Sequence, residues 1–250
     1  MKATIYGMNL HKIGLARMTV KKEIVIFPLF PSMISYVDCH DFLEIEDDLI
    51  EWIYDYKKNS NKEIYRSNQG GWHSHDDLNT EKSFDRFNDY VKKHMLFLCN
   101  SLFGDNCETR IENIWSIVNS EGNNNASHQH PGGHMSGVLW VKSNQSKPEK
   151  SGRLIFENPN GFGQNALLLN LKDDLKEGCH NHGSFWFEPV PGRMILFPSD
   201  LRHHVENNTT SEDRIVISFN VMLRPKGKAS FYNRAGLESQ MATVKDVQAL

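Results

Sequence analysis

The stretch Ile111-Glu-Asn-Ile-Trp-Ser-Ile-Val-Asn-Ser-Glu-Gly-Asn-Asn-Asn-Ala-Ser-His-Gln-His-Pro-Gly-Gly-His-Met-Ser-Gly-Val-Leu-Trp-Val-Lys142 decides the fold. Apolar residues before it recur at intervals of three and four. From Ile111 onward they recur at two, the period of a strand. Ile114–Val118 and Ser136–Val141 read as strands, separated by the turn signals Asn123-Asn-Asn125 and Pro131-Gly-Gly133. Downstream, Gly152–Phe156, Ser184–Phe187, Arg193–Phe197 and Arg214–Phe219 repeat the pattern. Asn158-Pro-Asn-Gly161 and Pro189-Val-Pro-Gly192 punctuate them. Many short strands with such punctuation predict a sandwich or barrel.

Upstream, Phe42, Ile45, Leu49, Ile53 and Tyr56 mark one amphipathic helix. Phe84, Phe87, Val91, Met95, Leu98 and Leu102 mark a second. Arg66–Ser74 lies between them as a loop with paired glycines and Trp72. Glu23–Phe30, with Pro28 inside it, reads as an edge strand. The expected organisation is an N-terminal arm over 1–22 and a strand with supporting helices over 23–112. A β core over 113–224 and a tail over 225–250 complete it.

Composition sets outer bounds. With 250 residues, 39% hydrophobic and 24% charged, the chain can close a sizeable core. Lys plus Arg is 28 against 31 Asp plus Glu, a net charge of −3, so the basic field of a nucleic-acid binder is missing. No run of about 18 apolar residues suggests a membrane span. Four scattered cysteines, with no CxxC pair, favour a reducing cytoplasm over a disulfide scaffold or zinc ribbon. No GxGxxG, P-loop or GxSxG motif supports nucleotide binding or a serine nucleophile.

Histidine is the informative residue: there are twelve, concentrated between His128 and His204. Residues i and i+2 on a strand share a face, so His128 and His130 can converge on one ion. Phe197-Pro-Ser-Asp-Leu-Arg-His-His-Val205 offers a distant third ligand. On an extended strand only one of His203 and His204 can point inward. In Arg214-Ile-Val-Ile-Ser-Phe-Asn220, alternation puts Ile215, Ile217 and Phe219 on one face. Arg214, Val216, Ser218 and Asn220 fall on the other, a polar set that belongs at solvent or in a cavity. Beside a metal site, Arg214 would suit a carboxylate ligand.

Taken in order, these pieces resemble a known family. His128-Gln-His130, Ser136-Gly-Val138, Gly152-Arg-Leu-Ile-Phe-Glu-Asn-Pro159, Pro191-Gly192, Phe197–Val205 and Arg214–Asn220 look like the 2-oxoglutarate- and iron(II)-dependent oxygenases of bacteria and phages. Ser67-Asn-Gln-Gly-Gly-Trp72 resembles that family's N-terminal signature, and the likeness covers roughly residues 24–224. It implies a mainly β fold with flanking helices (α+β), a double-stranded β-helix (jelly-roll or cupin-like barrel) supported by N-terminal helices. It implies Fe(II) at His128, His130 and His203, with His204 the alternative. It further implies that 2-oxoglutarate binds Arg214, with Ser218 and Asn220 on the same face, and that O2 is the second co-substrate of a hydroxylase.

One position departs from the usual triad of two histidines and a carboxylate: His130 stands where the acid would be. Three imidazoles also suit zinc, so a cupin-like barrel that binds metal or a small ligand without oxygenase activity is the alternative. Asp200 or Glu157 is a candidate carboxylate nearby. His134, His73 and His75 are expected in loops or at the surface, and Cys179-His-Asn-His182 in a flexible loop. Trp140 and Trp186 are expected in the barrel core.

Overall fold

A computed structural model describes residues 18–21, 24–26, 32–60, 63–104, 107–146, 150–160 and 183–226. Strands β1 (Met18–Lys21) and β2 (Ile24–Ile26) form an antiparallel pair. The expected strand over 23–30 is thus seen at Ile24–Ile26. Its remainder, and the Cys179–His182 cluster, lie outside the described residues.

The fold is a double-stranded β-helix of two facing sheets with helices on one side, as the sequence implies. The large sheet has the order β3 (Ser35–Asp38), β11 (Arg193–Pro198), β8 (Met135–Lys142), β13 (Arg214–Pro225), β6 (Cys107–Asn119) and β5 (Trp72–His73). The small sheet runs β10 (Ser184–Phe187), β9 (Leu154–Glu157), β12 (His203–Val205), β7 (Asn124–His128) and β4 (Asn68–Gln69). Neighbouring strands in both sheets pair antiparallel.

Helix α1 (Glu46–Asn59) starts on Glu46, Asp47 and Asp48 and ends on Lys57 and Lys58. Both charges complement the helix dipole. With α2 (Asp85–Phe103), it packs its apolar stripe on the outer face of the large sheet. There Leu49, Ile53, Phe84 and Val91 meet Leu139, Met194, Ile215 and Phe219 in one buried cluster. The alternate residues, Trp115, Val138, Trp140, Ile195 and Val216, point between the sheets and pack on Leu154, Phe156 and Val205. Because both faces of the large sheet are covered, its strands are apolar almost throughout, as at β8.

Several elements differ from the sequence expectation for local reasons. β9 starts at Leu154, two residues late, because Gly152 turns the chain at φ +64°. β6 extends back to Cys107, held by β13 as far as Pro225, so the 112/113 boundary falls inside a strand. Arg66–Ser74, read as a loop, holds the two short strands β4 and β5, one in each sheet. Gly70, at φ +77°, and Gly71, where a Cβ would stand 2.0 Å from Asn119 Oδ1, let the chain cross between them. Trp140 is fully buried as expected, whereas Trp186 is half exposed on edge strand β10, where the Arg153 guanidinium covers it at 4.8 Å.

Gly137 marks the tightest point of the helix-side core: a Cβ there would lie 2.2 Å from the buried Phe219 ring. Gly137→Ala should therefore lower the unfolding free energy by about 1–3 kcal/mol through overpacking. Urea unfolding with an unchanged m-value checks it, and a neutral result would show that Phe219 can move aside.

Candidate metal centre

Register builds the centre. β12 pairs with β7 so that His203 sits directly opposite His128. The chain leaves β7 after His128, and the His130 backbone N–H donates to the Ser199 carbonyl at 2.9 Å, fixing that turn beside β12. One nitrogen each from His128, His130 and His203 then lie within 4.8 Å of one another.

The backbone orients these rings. His128 Nδ1 lies 2.7 Å from the Ala126 carbonyl and His203 Nδ1 2.8 Å from that of Leu201. A carbonyl only accepts, so each Nδ1 carries the hydrogen and each Nε2 keeps its lone pair; that of His128 lies 3.4 Å from Ser67 Oγ. His130 Nε2 lies 3.2 Å from His203 Nε2. Two ligands at right angles about an ion roughly 2.1 Å away would stand about 3 Å apart, so the pair fits a shared cation. Burial, reinforced by the neighbouring imidazoles, holds His130 down to about 3; burial also brings His203 to about 4 and lowers His128. All three are therefore neutral donors at pH 7.

The other histidines separate from this group. Strand alternation turns His204 outward to 3.3 Å from Glu157 Oε1, so it does not join the cluster. Glu157 instead accepts from Ser127 Oγ, and no carboxylate joins the cluster among the described residues. Asp200 is exposed, and its carbonyl accepts from Gln129. His134 lies in a loop, its Nδ1 accepting from the Leu223 N–H. His75 is partly exposed beside Asp77. His73, expected at the surface, is buried at 4% exposure. The paired glycines before it are the sequence signal, because they swing β5 onto the inner edge of the large sheet.

The cluster opens into a cavity of about 560 Å³ between the sheets. Arg214, Val216, Ser218 and Asn220 line it, the face that alternation predicted. Arg214 is 3% exposed, and its Nε donates to the Gly152 carbonyl at 2.8 Å. No carboxylate pairs with it among the described residues, and burial pushes it down to about 10. Ser218 is buried in the same wall. Asn220 is tied into the wall, accepting from Ser136 Oγ at 2.7 Å and donating to Asn113 Oδ1 at 2.9 Å.

Residues 113–220 match the family described as "Putative 2OG-Fe(II) oxygenase", where 2OG is 2-oxoglutarate. The match spans the β core that carries the histidine cluster and Arg214, and the family so described is one of Fe(II)- and 2-oxoglutarate-using oxygenases. Solved structures agree on the fold. A Pseudomonas putida prolyl-4-hydroxylase shares 14% identity at TM-score 0.51, over 78% of this chain and 93% of that one. The alpha ketoglutarate dependent epimerase SnoN from nogalamycin biosynthesis shares 11% at 0.55, over 76% of each. HygX from Streptomyces hygroscopicus, crystallised with nickel and 2-oxoglutarate, shares 11% at 0.51, over 76% of this chain and 83% of that one. No curated protein sequence matches the chain.

The depressed imidazoles make the metal-free protein acid-sensitive. Unfolded, His130 and His203 titrate near the ordinary value of about 6.5, so between there and about 4 the unfolded chain holds more protons than the folded one. Stability is therefore full above about 6.5, falls as pH drops toward 4, and levels off below the folded values. The urea midpoint of metal-free protein should drop between pH 7 and pH 5, and drop less in His130→Gln. An equal drop in the variant would remove His130 from the effect.

Proposed function

We propose that the chain is a non-haem oxygenase in which His128, His130 and His203 hold Fe(II) and Arg214 binds the distal carboxylate of 2-oxoglutarate. One observation carries the reading. A buried guanidinium with no anion beside it among the described residues faces the same cavity as three converging neutral imidazoles. A buried charge is costly unless paired, and a dianionic co-substrate spanning from the metal to Arg214 supplies the missing partner.

The donor set fits the group. Three imidazoles on one side of an ion leave the remaining positions of an octahedron for co-substrate and O2. When bound, iron(II) with 2-oxoglutarate and O2 would supply the oxidising chemistry: one oxygen atom would enter succinate as the keto acid loses CO2, and the other would hydroxylate a substrate C–H bond.

The chain's own residues do the rest. Backbone carbonyls of Ala126 and Leu201 hold two imidazoles in the ligating tautomer. The Gly152 carbonyl takes Arg214 Nε, leaving the outer two nitrogens of the fork for a bidentate carboxylate. Ser218 sits two residues nearer the β13 start than Asn220 and offers a hydroxyl along the co-substrate. Asn220, six residues or about 20 Å of strand from Arg214, shapes the rim through Ser136 and Asn113. Phe156, Phe197 and Val205 keep the surroundings dry. No helix among the described residues is long and apolar enough to cross a membrane. The free thiols of Cys39, Cys99 and Cys107 support a cytoplasmic setting.

Zinc in a non-catalytic barrel would be served equally by three imidazoles, but it gives Arg214 no partner. Anaerobic addition of Fe(II) and 2-oxoglutarate should produce the weak visible band of a chelated keto acid, and succinate should accumulate in air. Arg214→Met should weaken 2-oxoglutarate binding by about 2–5 kcal/mol while metal binding is kept. Absence of both band and succinate overturns the enzyme reading; unchanged affinity in Arg214→Met removes that residue from the site.

A further inference from the structure

Arg214 lines the cavity from the start of β13. The cavity also reaches the sheet edges formed by β4 and β5, where Arg66 and Asp76 line it together with His73.

Backbone bonds tie these two charges to opposite sheets. The carbonyl of Ser67, one residue from Arg66, accepts from the Ala126 N–H of β7 at 2.8 Å. The Asp76 carbonyl accepts from the Ile114 N–H of β6 at 3.1 Å. Both anchors stand beside the histidine cluster. Ser67 Oγ is 3.4 Å from His128 Nε2, and Trp115, next to Ile114, has its ring 5.5 Å from that of His130. Burial lowers the His73 imidazole, and the charges of Asp76 and Arg66 act on it in opposite senses, so both lie near that buried ring.

Neither charge is matched within the protein. Arg86, Arg110, Arg153 and Arg193 each pair with a carboxylate. Arg66 and Arg214, which line the cavity, have no carboxylate partner among the described residues. Asp76 does not pair with Arg66. Its one ion-pair contact among the described residues is His75 Nδ1 at 3.8 Å, a ring that stands closer to Asp77, at 3.3 Å. Arg66 is exposed and Asp76 partly so, as suits groups that meet a ligand arriving from solvent.

Charge chemistry narrows what fits. An anion would be repelled by Asp76 and a cation by Arg66, while an uncharged molecule would leave both unmatched. A molecule with a carboxylate and an ammonium satisfies both, the carboxylate on the guanidinium fork.

We propose that Arg66 and Asp76 select the primary substrate as a small zwitterion with the head group of a free amino acid, its carboxylate on Arg66 and its ammonium on Asp76. This rests on the oxygenase reading above and names the substrate class for the same cavity.

The test uses the full chain loaded with Zn(II) and 2-oxoglutarate. Calorimetry compares each common L-amino acid with two derivatives. The N-acetyl form keeps only the carboxylate charge of the head group, and the methyl ester keeps only the ammonium. At least one amino acid should bind saturably, and about two- to fivefold more tightly than either derivative, the range of a partly exposed ion pair. In Arg66→Gln its advantage over the methyl ester should vanish while that over the N-acetyl form remains; Asp76→Asn should do the reverse. Arg66→Lys, which keeps the charge, should retain both. This crossed pattern separates charge recognition from the bulk that the derivatives add. No amino acid binding, advantages that survive both substitutions, or both advantages lost together in one variant overturns the proposal. Zinc content and 2-oxoglutarate affinity are measured separately for every protein. A variant that alone fails to load also overturns it, because its residue then serves the metal or the co-substrate. Failure of the unmodified chain to load sinks the oxygenase reading and this one with it, whereas loading without the crossed pattern sinks this one alone.

Discussion

A cation sealed between two β-sheets, with no anion to meet it among the described residues, is the constraint on which the rest depends. Arg214 opens β13, is 3% exposed, and among the described residues makes a single hydrogen bond, to the Gly152 carbonyl. Desolvating such a group costs several kcal/mol, a penalty that folds normally offset with a carboxylate. Here the surroundings hold the charge in place instead. Gly152 sits at φ +64°, and a Cβ there would fall 2.8 Å from Arg214 Cδ, so glycine lets the backbone close on the guanidinium stem. The glycine that opens the Gly152–Pro159 motif is thus a positioning element for the arginine 62 residues away.

The second constraint is register. Pairing His203 with His128 brings together imidazoles that are distant in sequence, and one residue of slip on β12 would put His204 in the cavity and His203 at Glu157. Two carbonyls, of Ala126 and Leu201, then decide which nitrogen each ring presents. The small sheet supplies the histidines and the large sheet supplies Arg214, Ser218, Trp115 and His73. The Gly70–Gly71 crossing stitches the two together at the open edge, which is why a short, loop-like stretch can place a buried histidine in the site.

Much of this was legible in the sequence, for identifiable reasons. Period two from Ile111 onward, and the alternation of Arg214, Val216, Ser218 and Asn220, follow from strand geometry alone. So did the rule that only one of His203 and His204 could face inward. Order of motifs chose between them, and the structure puts His203 in the cluster. What periodicity could not reveal were elements too short to show a period. β4 and β5 are two residues each, so His73 read as a surface residue. Trp186 misled in the opposite direction: aromatic residues on strands are usually buried, but an edge strand has one uncovered face, and here Arg153 covers the indole.

The most direct measurement is a crystal structure of the protein prepared anaerobically with Fe(II) and 2-oxoglutarate. The account predicts an ion about 2.1 Å from one nitrogen each of His128, His130 and His203, with the far carboxylate of the keto acid on the Arg214 fork. An ion bound away from those imidazoles, or a co-substrate whose carboxylate turns from Arg214, would contradict it.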